Sequence, residues 1–419
     1  MASVSPRSRT GGSPPEVVER VRSILAEVEV EGEPAVRRIS RSLDGWDPPS
    51  FRVDPGDVER RARLVEPAVA AAIDLAADRI EAFARAQLAT LVPLDLELGD
   101  GIRVGHRHLP VESVGAYVPG GRYPLVSSVL MSALVARTAG VARVVVATPP
   151  RDGGIHPPTA YAIRRAGADE TIALGGAQAL AAMAFGALPG LEPVAMIVGA
   201  GNAYVTEAKR QLFGLVGIDL LAGPTETLIV ADESARPELL AVDLLSQAEH
   251  GPTSPAVLVT TSEQVGVRTR TEIERLLEED RGVAADAWRN HGQVLVVDSP
   301  EEAAAAADAF APEHLTLHVA DADWYEARLR NYGSLFVGEH ATVTFGDKVS
   351  GPNHTLPTGG AARHSGGLWV GSFLRTLTYH RVSPEGAALL AAPAAEISRA
   401  EGLAAHARAA DVRRRPSAT

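Results

Sequence analysis

Gln247, His250, Glu313, His314, Asp347, His354 and His406 are residue types that hold metals and move protons, set in short motifs of a chain with no cysteine. Without thiolate, a zinc site must be built from imidazole, carboxylate and amide oxygen, a set that favours a catalytic metal with an open position. The same absence removes a thiol nucleophile and a covalent thiohemiacetal from any mechanism. Gln247 and His250 lie three apart near a helix end and share a face, so both can reach one ion; standing alone, they read as a capping histidine and a solvated glutamine. Glu313 and His314 can divide acid and base work. Neighbours in a strand point to opposite faces, however, so the backbone must bend there for both to act. Asp347 and His354 belong to a turn-rich stretch, Gly346-Asp347-Lys348 and Gly351-Pro352-Asn353-His354, and structured loops of this kind often carry function. Glu401 and His406 fall five apart in an expected C-terminal helix, off any common face, and by spacing alone read as two solvated residues.

The elements that must position these residues alternate along the chain. Helical spacing of Val17, Val21, Ile24, Leu25 and Val28 predicts helix over Pro15–Gly45, and a second helical run extends from Val58 to about Leu91. From Val111 the pattern becomes strand and helix in turn: strands at Val111–Val118, Val141–Ala147, Glu170–Leu174 and Val194–Val198 have helices between them. A second alternation starts at Thr227–Ala231 and runs to Ser334–Val337. Short apolar strands separated by helices mean parallel sheets of βα units, here two of them. Gly175-Gly176-Ala177-Gln178 and Gly199-Ala200-Gly201-Asn202 both follow strands and open helices, where backbone N–H groups could meet a phosphate. The second lacks the third glycine of a dinucleotide fingerprint, so an ordinary strand-to-helix turn is an equal reading of it.

Composition sets outer bounds. A chain of 419 residues is too long for one simple core. The net charge of −12, with no basic face beyond Arg413-Arg414-Arg415, argues against nucleic acid as partner. No apolar run reaches the roughly 18 residues of a membrane span. The first 14 residues, rich in Ser, Pro, Gly and Arg, read as a disordered tail without a signal-peptide core, and cytoplasmic residence is the default.

Taken together, the motifs resemble the histidinol dehydrogenase family over essentially the whole chain. The resemblance is carried by Tyr117-Val118-Pro119-Gly120-Gly121, Gly175-Gly176-Ala177-Gln178, Gly201-Asn202-Ala203-Tyr204 and Ala222-Gly223-Pro224-Thr225-Glu226. It continues through Gln247-Ala248-Glu249-His250, Pro312-Glu313-His314 and Asn353-His354-Thr355-Leu356-Pro357-Thr358. It implies a homodimer with one Zn2+ per subunit, held by Gln247, His250 and Asp347 with His406 from the partner subunit. Glu313 and His314 are then the catalytic pair. Tyr117, Gln178 and Asn202 line NAD. Thr225, His354 and Glu401 contact the substrate, together with the zinc ligands and His314. The implied reaction takes a primary alcohol through an aldehyde to a carboxylate with two NAD+. The implied fold is α/β: two parallel-sheet, incomplete Rossmann-like domains with a helical C-terminal appendage exchanged across the dimer.

On that basis, residues 15–109 and 225–368 form a first domain with the zinc and acid/base residues, 110–224 the NAD side, and 369–419 a helical dimerisation segment. Lys348 after the ligand aspartate, Gly366-Gly367-Leu368-Trp369-Val370-Gly371 and His250-Gly251-Pro252-Thr253-Ser254-Pro255-Ala256 resemble the branch that includes sulfopropanediol 3-dehydrogenase. A lysine there would repel the ammonium of histidinol and attract a sulfonate, by on the order of 1–4 kcal/mol at short range; a lysine turned to solvent would do neither. A zinc hydrolase would not need two neighbouring glycine turns, and a non-catalytic relative would not need an intact Glu313-His314 pair.

Overall fold

Valine-rich strands whose alternate residues are both apolar must be covered on both faces, and this chain does so twice. The structure, a computed structural model, describes residues 13–121, 123–279 and 282–414; most of the expected tail 1–14 lies outside them. The first sheet has six strands in the order Arg52–Val53, Glu170–Ala173, Arg143–Thr148, Ser113–Tyr117, Met196–Val198, Gly217–Ile218, parallel except for Arg52–Val53 at one edge. Val114, Ala116, Val144 and Val146 pack on one side with Ile80, Leu130 and Ile163. Tyr117, Val145 and Ala147 pack on the other with Ile24, Leu180 and Val205. The second sheet is all parallel, in the order Gly292–Val296, Ala256–Thr260, Thr227–Ala231, His314–His318, Ser334–Val337. Helix Pro300–Phe310 covers one face of it, and helices Pro237–Ala248 and Glu263–Glu279 cover the other.

Counted from the first strand of each βα run, both sheets read 3-2-1-4-5. The order therefore reverses between Ser113–Tyr117 and Met196–Val198 in one, and between Thr227–Ala231 and His314–His318 in the other. Crevices form at such reversals. Among the described residues, no helix is long and apolar enough to cross a membrane.

Three sequence expectations need correction. Residues 15–66 pack on the six-stranded sheet, and helix Pro67–Ala89 meets both it and the 225–368 segment, with Val349 against its core face. Arg52–Val53 pairs with Glu170–Ala173, Trp46 Nε1 donates to the Ala173 carbonyl at 2.9 Å, and helices Pro15–Glu31 and Glu33–Asp44 complete one face of the six-stranded sheet. Helical periodicity says that a face is buried, not against what. The segment 369–419 is not purely helical: Leu374–Val382 is a nine-residue strand in an antiparallel sheet with Ile102–Pro110 and Leu94–Gly99, and helices Pro384–Ala400 and Ala404–Asp411 follow it. The two long N-terminal helices are also each broken, at Gly32 (φ 65) and ahead of Pro67.

Candidate active site

The expected catalytic residues gather at the amino ends of the five-stranded sheet. Helix Pro300–Phe310 ends on Ala311, whose left-handed backbone (φ 54, ψ 61) supplies the bend that strand geometry alone would forbid. Glu313 thus precedes the strand and His314 begins it, opposite Thr227 of the neighbouring strand. Glu313 Oε2 accepts from Thr225 Oγ1 at 2.6 Å and from the Glu226 amide at 3.0 Å. Burial pushes its carboxyl well above the usual range, against the pull of these two donors. His314 Nδ1 lies 3.2 Å from the Glu226 carbonyl. A carbonyl only accepts, so Nδ1 carries the proton and Nε2 is a bare lone pair. Nε2 is buried without a hydrogen bond, 3.8 Å from Asp347 Oδ1. Burial lowers the His314 pKa to about 4 although the Asp347 carboxylate opposes it, and the ring is neutral at pH 7.

Helix Pro237–Ala248 runs back toward these amino ends and delivers Gln247 in its last turn and His250 just beyond it. Gln247 Oε1 is 3.4 Å from Thr225 Oγ1. His250 Nε2 is 4.0 Å from Oδ2 of Asp347, which stands in the short helix Val343–Lys348. Two donors on one tetrahedral zinc lie about 3.4 Å apart, and the 4.0 Å between His250 and Asp347 is within about an ångström of that separation. Among the described residues no group of three His, Cys, Asp or Glu side chains is placed to hold a metal ion.

His354 is locked from both sides, Nδ1 3.0 Å from the Asp347 carbonyl and Nε2 3.1 Å from Ser128 Oγ. Nδ1 donates, so Ser128 donates to Nε2. The helix that carries Ser128 widens into a π turn at Leu130–Leu134, a distortion frequent at functional sites. The Met131 carbonyl in that turn accepts from Asn353 Nδ2 at 2.6 Å, which pins the His354 loop to the first sheet's helix. Burial lowers the His354 pKa; Asp347 opposes this, and the charge of the exposed Lys348 adds to it.

Tyr117 and Asn202 stand at the carboxyl ends of the six-stranded sheet, at its reversal, and Gln178 follows the strand Glu170–Ala173 at the same end. The Tyr117 hydroxyl accepts from the Gly176 amide at 3.1 Å, and burial pushes its pKa up to about 12. Gln178 Nε2 donates to Asp44 Oδ2 at 3.0 Å while its Oε1 is buried without a partner, an orphan acceptor that suits a bound ligand's donor. Asn202 Oδ1 caps the helix Ala203–Leu212 by accepting from the Tyr204 and Val205 amides at 3.0 and 3.1 Å.

Glu401 and His406 are not brought to this site by their own chain. Glu401 caps one helix and His406 lies in the next, across the turn at Gly402 (φ 77), rather than in one helix as expected. Both are exposed, and no side-chain hydrogen bond or ion pair to the described residues holds either. Sequence reasoning passed over Ser128, Asp44 and Glu226. The last stood beside Thr225 in a quoted motif, whereas nothing local marked the other two.

A family model described as histidinol dehydrogenase matches residues 7–414. A "Histidinol dehydrogenase homolog" from Shouchella clausii is 48% identical over 95% of this chain and 94% of that protein. "Sulfopropanediol 3-dehydrogenase" from Ruegeria pomeroyi is 44% identical over 95% of this chain and 92% of that protein. The crystal structure of histidinol dehydrogenase from Elizabethkingia anophelis superposes with a TM-score of 0.89 at 34% identity, over 94% of this chain and 91% of that one. With matches of this extent laid over the geometry above, the chain belongs to the histidinol dehydrogenase family.

Proposed function

We propose that this chain is a zinc-holding, NAD-dependent dehydrogenase that oxidises a small polar alcohol carrying negative charge, such as a sulfonated diol, through an aldehyde to a carboxylate. The observation that carries the reading is the buried Glu313–His314 pair, with the bare Nε2 of a neutral imidazole beside Asp347. That nitrogen can take the alcohol proton without first losing one of its own. Glu313, held by Thr225 and the Glu226 amide, is the base for the water that hydrates the aldehyde. No cysteine is available for a covalent route. Bound zinc would supply a Lewis acid for the substrate oxygen, and NAD+ a hydride acceptor used twice. Gln247, His250 and Asp347 would hold the metal, with His406 from the partner subunit. Tyr117, Gln178 and Asn202 would line the nucleotide crevice, each sheet acting as half of a Rossmann-like pair. Thr225, His354 and Glu401 would meet the substrate.

The dimer reading is supported by the C-terminal arm. Leu377, Val382, Leu389 and Ile397 are exposed there, as are Leu96 and Leu98 on the strand Leu94–Gly99 of the same antiparallel sheet, and Glu401 and His406 serve no site among the described residues of their own chain. Cytoplasmic residence completes the proposal. The anionic substrate rests on the likeness to sulfopropanediol 3-dehydrogenase; Lys348 is exposed, and its part is to set the charge at the rim of the site, where it helps to lower the His354 pKa. The deciding assay is NADH formation with 2,3-dihydroxypropane-1-sulfonate and with L-histidinol, each with and without a zinc chelator. Chelator-sensitive turnover of the sulfonate, weakened roughly fivefold or more by Lys348→Tyr, is expected. Efficient turnover of histidinol, the alternative substrate, defeats the anionic reading, and turnover untouched by chelation defeats the zinc reading.

A further inference from the structure

Below the site lies a carboxylate that the proposed chemistry does not use. Asp243 precedes Gln247 by one turn on the same face of helix Pro237–Ala248, and His250 follows just past the end of that helix. Its Oδ1 accepts from Thr342 Oγ1 at 2.8 Å. Thr342 is the N-cap of the helix Val343–Lys348 that carries Asp347. The other oxygen, Oδ2, lies 3.8 Å from Nε2 of His318. His318 ends the strand that His314 begins; it is 3% exposed, and neither of its ring nitrogens has a hydrogen-bond partner. One side chain therefore touches all three elements that carry Gln247, Asp347 and His314.

The contact to His318 is too long for a hydrogen bond. Burial raises the pKa of Asp243 and lowers that of His318, so this pair is not a strong ion pair. The working link is the bond to Thr342. The helix it anchors has six residues, far below the length at which a helix holds itself in water. His250 Nε2 and Asp347 Oδ2, one from each linked element, stand 4.0 Å apart, close to the separation that one ion demands. A six-residue helix free to shift by an ångström would lose that match.

We propose that Asp243, through Thr342, is a positioning residue that fixes the Gln247/His250 helix against the Asp347 helix and thereby sets zinc affinity. The inference rests on the zinc reading above. Its test is the zinc dissociation constant of the metal-free full-length protein, by competition with a chromophoric chelator. Asp243→Ala and Thr342→Val should each weaken zinc by about 10- to 100-fold, the usual cost of losing a group that orients a ligand. Thr342→Ser and Asp243→Asn keep a hydroxyl donor and an oxygen acceptor, and should stay within a few-fold of the parent. NAD affinity should not move in any of the four, which separates positioning from general loosening. Zinc affinity within about twofold of the parent in both disruptive variants overturns the proposal. If Asp243→Ala does not fold, Thr342→Val decides the question, since it removes only a hydroxyl. A parent protein that binds no zinc overturns the metal reading itself, and that arm distinguishes the two failures.

Discussion

Lys209 and Asp219 form a buried ion pair behind the nucleotide-side loop, with side chains 2% and 0% exposed. They grip the same residue: Lys209 Nζ donates to the Gly199 carbonyl at 2.8 Å, and Asp219 Oδ2 accepts from the Gly199 amide at 2.7 Å. Asp219 Oδ1 accepts from the Leu220 amide at 2.7 Å. Gly199 has φ +118, and a Cβ there would stand 2.1 Å from the Tyr117 carbonyl, so the loop has one narrow place to run. Lys209→Met leaves a buried carboxylate with two amide donors and no counter-charge. Removing one partner of a buried pair costs about 3–5 kcal/mol, and Asp219→Asn, which strands the ammonium, should cost the same. The double variant Lys209→Met/Asp219→Asn strands no charge and keeps an oxygen for the Gly199 amide. It loses the donor to the Gly199 carbonyl and, with one oxygen in place of two, the acceptor of the Leu220 amide, about 1 kcal/mol each. A urea-unfolding double-mutant cycle should therefore show both single variants less stable than the double, with a coupling of several kcal/mol. Additive losses, or a Lys209→Met cost below about 1 kcal/mol, would refute the view that the charges serve each other across Gly199.

Glu313→Gln should lower turnover by about 10²- to 10⁴-fold and let the aldehyde accumulate, which trapping with semicarbazide would reveal; carboxylate formed at the parent rate would remove Glu313 from the second step. Mixing inactive His250→Ala and His406→Ala chains should restore activity, because a mixed dimer has one site with both imidazoles; random pairing leaves about a quarter of sites intact, and no recovery places His406 outside the partner's site. The Glu207 carboxyl is held down at about pH 2, chiefly by its hydrogen bonds to Arg210. Its stabilisation is thus complete above the unfolded value near 4.5 and is lost as pH falls through 2. With Arg210 half exposed, Glu207→Gln should cost at most about 1–2 kcal/mol at pH 7, a cost that shrinks as pH falls from 4.5 toward 2 and vanishes below it, as thermal melts across that range would show.

The two sheets were legible because their strands are short, apolar and separated by helical spacing, as in Arg143–Thr148 and Thr227–Ala231. What covered them was not: Val17, Val21 and Ile24 announce a buried face, yet nothing local says that the face meets Leu180 rather than the second sheet. Two signals were present and passed over. Asp100-Gly101, both with positive φ, is the two-residue turn of the hairpin joining Leu94–Gly99 to Ile102–Pro110. Gly402 ends the helix ahead of His406. At the site, the objection to Glu313 and His314 acting together was sound for a strand, and it dissolves because Ala311 turns the chain before the strand starts. Ser128 was beyond reach, since its partner His354 is more than 200 residues away and the π turn beside it has no local signature.

The same strand order occurs twice, yet the expected nucleotide residues stand at the carboxyl ends of one sheet and the expected metal residues at the amino ends of the other, and electrostatics gives a reason. At the carboxyl ends of the six-stranded sheet, helices Gly176–Phe185 and Ala203–Leu212 begin, and helix N-termini carry partial positive charge suited to phosphates. At the corresponding reversal of the five-stranded sheet, Asp232 Oδ2 accepts from the Ala320 amide at 2.7 Å and Oδ1 from the Ser234 amide at 2.9 Å, so this carboxylate ties the loops after two neighbouring strands together. The other edge of that sheet receives the C-terminus of helix Pro237–Ala248, the negative end of a dipole, which suits a cation beside Gln247 and His250. On the proposed reading the first polarity meets an anionic dinucleotide and the second a divalent cation, so one strand order serves two ligands of opposite charge by offering opposite ends.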